Sequence, residues 1–222
     1  LGLRQALRHK PHGTLAVITP YNMPAALPAD QILPALIAGN SVVFKPSEYG
    51  TAVGEKLIEL FYQVGLPESV LRLLVGGPEI GKQLAAHPLI DGLLFTGSTR
   101  TGLALNMMYA ANPGKILALE MGGNNALVVW DSADLRTAAT LVVQSAFLSA
   151  GQRCSNARRL IVKDTMADAL IHEVKILANR IIVDHPHAEP APYMGPLISN
   201  DAADGITAAF LDMMAKGGQI IR

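Results

Sequence analysis

Short β-branched runs alternate with longer segments of helical period along most of this chain, and Gly, Pro and Asn mark the junctions. That alternation constrains the fold more than any other feature, because it is the pattern of βαβ units, in which parallel strands are joined by crossover helices. It predicts strands over 14–19, 41–45, 70–74, 91–95 and 115–119, and helices near 28–38, 51–64, 78–86 and 99–110. Leu57, Ile58, Phe61 and Tyr62 fall on one helical stripe that stops at Gly65-Leu66-Pro67. The expected architecture is α/β, a doubly wound parallel sheet extending to about residue 121.

After Gly122-Gly123 the pattern restarts, with strands over 126–130 and 159–163 and helices over 135–148 and 166–182. The segment 186–196 holds four prolines and is expected to be an irregular connection. Two domains follow, 1–121 and 122–222. The chain starts at Leu1, and Ile220-Ile221-Arg222 comes directly after Lys216-Gly217-Gly218. This reads as a helix, a turn and a strand cut short, so the expectation is a fold incomplete at both ends.

Half of the 222 residues are apolar, enough to bury a sizeable core. Lys plus Arg and Asp plus Glu balance at 18 each, which leaves no net field to hold nucleic acid or an anionic membrane surface. The uncharged stretches 13–29 and 137–152 are shorter than the ~20 residues a bilayer span needs and are broken by Pro, Asn, Gln or Ser. With one cysteine and no secretory signal, the expectation is a cytoplasmic protein with a small-molecule partner.

Several residues could carry chemistry. Cys154 stands in Gly151-Gln152-Arg153-Cys154, after an apolar helix whose end is marked by Ser149, Ala150 and Gly151. A lone cysteine is commonly a buried small hydrophobe, and as a nucleophile it needs a neighbour that lowers its pKa or takes its proton. Glu120 lies at the carboxyl end of a strand, where open parallel sheets place their ligands, and Gly122-Gly123 after it permits close backbone approach. An ordinary charge at a strand exit is the plainer alternative. Asn22, between Pro20 and Pro24, is either a turn former or an amide held rigidly enough to donate to an oxyanion.

Two further strand ends have both a structural and a functional reading. Lys45-Pro46-Ser47-Glu48 opens a helix, for which Ser47 as N-cap is a sufficient account; the functional alternative has Lys45 and Glu48 gripping ribose hydroxyls. Phe95 to Gly102 reads as a strand, a turn containing Gly97 and Ser98, and a helix start, a geometry that aims backbone N–H groups at a phosphate. It lacks the G-x-G-x-x-G spacing. His185 and His187 with Asp184 lack a further ligand cluster, so no metal is expected. Met107, Met108, Met213 and Met214 read as core filler.

In order and spacing, Pro20 to Pro24, Lys45 to Glu48, Phe95 to Gly102, Leu119 to Gly123 and Gly151 to Cys154 resemble the motif series of the aldehyde dehydrogenase superfamily, and Met194-Gly195-Pro196-Leu197 is similar to a turn common in it. The resemblance implies a Rossmann-like coenzyme domain followed by part of a catalytic domain. It makes Cys154 the nucleophile, Glu120 the base that activates water, and Asn22 an oxyanion donor beside the backbone N–H of Cys154. Lys45 and Glu48 would hold the adenosine ribose of NAD, and Gly97 and Ser98 would lie against its pyrophosphate. Arg159 matches a position usually held by a structural arginine. Relatives that pass the acyl group to coenzyme A need no base, so Glu120 favours hydrolytic release of an acid.

Within the superfamily, Ala118 to Asn125 and Ser145 to Cys154 look most like the group that oxidises N-succinylglutamate 5-semialdehyde in arginine breakdown, with departures at Met23 and Asp30-Gln31. Arg153 is then a candidate partner for a substrate carboxylate, or a structural arginine. The alternatives are another semialdehyde dehydrogenase, or an inactive relative that kept the fold. The resemblance also implies a homo-oligomer for the full-length protein. The Glu-x-Phe-Gly-Pro motif that orients the nicotinamide ribose in this family does not occur in the chain, which on its own is expected to be inactive.

Overall fold

A computed structural model describes residues 5–220. The chain divides into two compact units, Leu1–Met121 and Gly122–Arg222.

The first unit holds β1 (Thr14–Ile18), α1 (Ala26–Ile37), β2 (Ser41–Lys45), α2 (Thr51–Gln63), β3 (Leu71–Leu73), α3 (Pro78–Ala86), β4 (Gly92–Gly97), α4 (Thr99–Tyr109) and β5 (Ile116–Met121). The strands form one parallel sheet in the order β3-β2-β1-β4-β5. Successive side chains of a strand face opposite ways, so β1, at the centre, feeds two cores. Leu15 and Val17 pack with Ile32, Val42, Phe44, Ile58 and Leu71 on one face. Ala16 packs with Leu84, Ile90, Leu93, Phe95, Leu105 and Tyr109 on the other.

Polar side chains hold the strand entrances. Buried Asn40 donates from Nδ2 to the Ala35 carbonyl of α1, 2.9 Å away, and its Oδ1 accepts from the N–H groups of His12 and Gly13. The end of α1 is thereby tied to the start of β1. Tyr109 donates its hydroxyl to the Ala85 carbonyl at 3.0 Å, which satisfies a polar atom inside the second core.

The second unit holds β6 (Asn125–Val129), α5 (Leu135–Phe147), β7 (Ala157–Val162), α6 (Asp164–Ala178) and α7 (Asn200–Ala215). β6 and β7 pair in parallel. Buried Ala138, Ala139 and Leu170 centre a small core, joined by Val129, Leu135, Leu160, Val162, Val174 and Leu177. The opposite face of the strand pair leaves Val128, Trp130 and Ile161 exposed. Asp134 caps α5 by accepting from the N–H groups of Arg136 and Thr137, and Thr137 Oγ1 donates to it as well. These bonds hold its carboxyl below the usual carboxylate range.

The α/β class and the parallel sheet agree with the sequence expectation, and several details do not. Ser47 caps a short 3₁₀ turn, Glu48–Gly50, rather than α2 itself, which starts at Thr51 as expected. α6 ends at Ala178, four residues before the predicted end at 182. Met107 and Met213 are exposed rather than core filler, while Met108 packs against the second core. Gly218 to Ile220 form no strand; Ile221 and Arg222 lie outside the described residues. No described helix is long and apolar enough to cross a membrane.

Candidate active site

In the first unit, six of the residues singled out above gather at one edge of the sheet, because parallel strands all end on the same side. Lys45 is the last residue of β2, Gly97 the last of β4 and Glu120 the last but one of β5. Asn22 follows β1, Glu48 follows β2 and Ser98 follows β4. The order β3-β2-β1-β4-β5 makes the chain leave β1 in opposite directions on its two sides. At such a switch point the loops diverge and open a crevice at the carboxyl ends of the strands.

Each side chain there has a distinct setting. Lys45 is 4% exposed, and its Nζ donates to the Pro46 carbonyl at 2.7 Å. Burial pushes its ammonium below the usual lysine range, and the nearby Glu48 carboxylate opposes that shift. Room for the Lys45 stem exists because position 81 is glycine: a Cβ there would meet Lys45 Cε at 3.2 Å. Glu48 is exposed, and so is Glu120, which stands opposite Thr96 in the pairing of β4 with β5. Tyr21, beside Asn22, meets Tyr49 edge to face at 6.3 Å, and burial raises its phenol above the usual range.

Ser98 is the N-cap of α4, with its Oγ accepting from the Thr101 N–H at 3.2 Å. Capping by Ser98 leaves the N–H groups of Thr99 and Arg100 outside the helix's own ladder, pointing outward from its positive end. Sequence reasoning marked Gln31 only as a departure from the subfamily and missed its contact: its Nε2 donates to Thr96 Oγ1 at 2.7 Å and so ties α1 to the end of β4. An isolated Gln on a helix carries no signal for such a contact.

In the second unit Cys154 is exposed, on the loop between α5 and β7. The loop is left-handed at three successive residues, Ser149 (φ 59°), Ala150 (φ 54°) and Gly151 (φ 71°). For the two that are not glycine this conformation costs about 1–2 kcal/mol each. Side chains offset that cost: Arg158 donates to the Gly151 carbonyl at 2.6 Å, and Gln152 Oε1 accepts from the Ile198 N–H at 3.0 Å. Asn125 donates to the carbonyls of Cys154 and Asn156, and Arg159 to that of Asn124 at 3.0 Å. Arg153 lines a hollow of about 320 Å³ with Leu141, Gln144, Leu148 and Ser155. Its Nε is buried and has no hydrogen-bond partner among the described residues. No cluster of three or more His, Cys, Asp and Glu suited to a metal occurs among the described residues.

Comparison with known proteins gives a consistent picture. The chain is 72% identical, over its whole length, to an N-succinylglutamate 5-semialdehyde dehydrogenase of Sphingopyxis alaskensis. It is 59% identical, over 98% of its length, to a protein of the same name from Novosphingobium aromaticivorans. In both cases the match covers 46% of the relative, so the chain spans about half the length of these curated relatives. Among solved structures, a betaine aldehyde dehydrogenase from Staphylococcus aureus, determined in complex with NAD+, matches with a TM-score of 0.89 and 31% identity over 95% of this chain and 41% of that one. Proline utilization A from Bradyrhizobium japonicum matches with a TM-score of 0.87 and 38% identity over 92% of this chain and 21% of that one. With the family model for the aldehyde dehydrogenase family matching residues 2–222, the chain belongs to the aldehyde dehydrogenase family.

Proposed function

We propose that the whole protein oxidises N-succinylglutamate 5-semialdehyde to N-succinylglutamate with NAD, through a thioester on Cys154. The observation that carries this reading is the 72% identity, over the entire chain, to a relative bearing that enzyme's name. Each chemistry-bearing residue suits one task.

Thiolate attack by Cys154 on the aldehyde carbon forms a thiohemiacetal whose oxygen carries the negative charge. Asn22 and the backbone N–H of Cys154 donate to that oxygen, and one well-placed donor is worth about 3–4 kcal/mol in the transition state. When bound, NAD supplies the acceptor for the hydride that leaves this carbon. A thioester then remains on Cys154. Glu120 takes a proton from the water that attacks it, which releases the carboxylic acid and restores the thiol. The exposed position of Glu120 suits a base that must reach water.

The edge of the first sheet fits a dinucleotide. The Lys45 ammonium and the Glu48 carboxylate offer a donor and an acceptor to a pair of ribose hydroxyls at the end of β2. Gly97 and Ser98 lead into a helix N-terminus that suits a pyrophosphate. For the substrate, the Arg153 guanidinium, whose Nε has no hydrogen-bond partner among the described residues, suits a carboxylate, which it can bind with two parallel hydrogen bonds.

The experiment is a comparison of kcat/KM in the whole protein between N-succinylglutamate 5-semialdehyde and an unsubstituted aliphatic aldehyde of similar length. A site in which the partly buried Arg153 binds a substrate carboxylate disfavours the substrate that leaves it unpaired, so a preference of roughly 100-fold or more is expected. Comparable values would leave a general aldehyde dehydrogenase.

A further inference from the structure

Asn156 is 3% exposed and lies two residues beyond Cys154. Its Nδ2 faces three carbonyls at the end of α5, those of Ser145 (2.9 Å), Ala146 (3.1 Å) and Leu148 (3.3 Å). The last carbonyls of a helix have no partner within it, and here one side-chain amide serves several of them. Asn125, the first residue of β6, donates from its own Nδ2 to the carbonyls of Cys154 and Asn156, the latter at 3.1 Å. The backbone on which the thiol sits is thus tied on one side to the strand and on the other to the helix.

We propose that Asn125 and Asn156 are positioning residues, a pair of amides that sets the backbone of Cys154 for attack on the aldehyde. The proposal rests on Cys154 being the nucleophile. The loop needs such ties for two physical reasons. Cys154 is exposed, so its own side chain makes no buried anchor. The three left-handed residues before it hold a conformation that the chain would leave if the carbonyls around them were released. Every acceptor in the pair's network is a carbonyl oxygen, so the role requires an N–H donor; a carboxylate of the same shape would repel where the amide attracts. Misplacement of a reacting group by about 1 Å can cost roughly 100-fold in rate, which is the scale on which a loosened loop should register.

The test is steady-state kinetics of the whole protein with N-succinylglutamate 5-semialdehyde and NAD, on Asn125→Ala, Asn156→Ala and Asn156→Asp, with Tm measured on each. The expected result for Asn125→Ala, at the less buried position, is a kcat about tenfold lower or more, with both KM values within about twofold and little change in Tm. Asn156→Asp should be slower than Asn156→Ala despite its closer shape. Asn125→Ala keeping more than about half of kcat would overturn the proposal, as would kcat and Tm falling together with Asn156→Asp no worse than Asn156→Ala. Cys154→Ala run in parallel separates the two readings: activity surviving in it removes the nucleophile and the clamp with it, whereas loss there beside a normal Asn125→Ala removes the clamp alone.

Discussion

Glu120 stands directly opposite Thr96 where β5 pairs with β4, and the Thr96 hydroxyl accepts from Gln31 of α1. The backbone of Glu120 is therefore fixed by the sheet while its carboxylate remains exposed. Glu120→Gln should slow turnover by about 100-fold or more, the usual scale for loss of a general base, while the first hydride transfer proceeds. Mass spectrometry of the stalled variant should find the acyl group on Cys154. An unmodified thiol, beside an intact first-turnover burst, would assign the hydrolytic step to another residue.

Cofactor choice follows from the sign of one charge. In the proposed role Glu48 would accept from ribose hydroxyls and repel a 2′-phosphate, so NAD should be preferred over NADP, and Glu48→Gln should narrow the preference. Equal kcat/KM for the two cofactors in the unmodified protein would contradict the assignment.

Lys45 gives a pH signature. Its folded pKa is depressed by burial, with Glu48 opposing, so between the folded and unfolded pKa values the unfolded chain binds more protons than the folded one. Stability therefore rises with pH across that alkaline window, and below it the buried ammonium costs stability. Lys45→Met should flatten the alkaline slope of urea-unfolding free energy and weaken NAD binding at neutral pH. An unchanged slope would place the cause elsewhere.

The sheet that carries the first unit depends on residues such as Leu93, which is fully buried in β4. Leu93→Ala should destabilise the protein by roughly 2–5 kcal/mol, the range for a leucine truncated in a core. Denaturant titration measures it, and a loss under about 1 kcal/mol would mean that this core collapses around the cavity.

Much of this was readable in the sequence because two periods recur in it. The apolar runs at 14–18 and 41–45 have strand length, and the stripe through Ile58 and Phe61 has helical spacing, so the elements of the first unit fall within a few residues of their predicted bounds. Motif order pointed to the strand ends, where side-chain chemistry is exposed. The left-handed run at Ser149 and Ala150 was not readable, since neither residue type favours it. The Asn125 amide reaches the Asn156 carbonyl across 31 residues of sequence, a separation at which no local pattern operates. Met107 was misplaced because Leu103 and Met107, four residues apart, put apolar side chains on the exposed face of α4, so apolarity alone did not locate the core.

The most direct test of the central claim is the rate of NADH formation from N-succinylglutamate 5-semialdehyde by the whole protein carrying Cys154→Ala, with its Tm compared to the unmodified form. Cys154 is exposed, so its loss should leave folding intact while aldehyde-dependent NADH formation disappears. A folded Cys154→Ala protein that turns over at close to the normal rate would contradict the thioester mechanism.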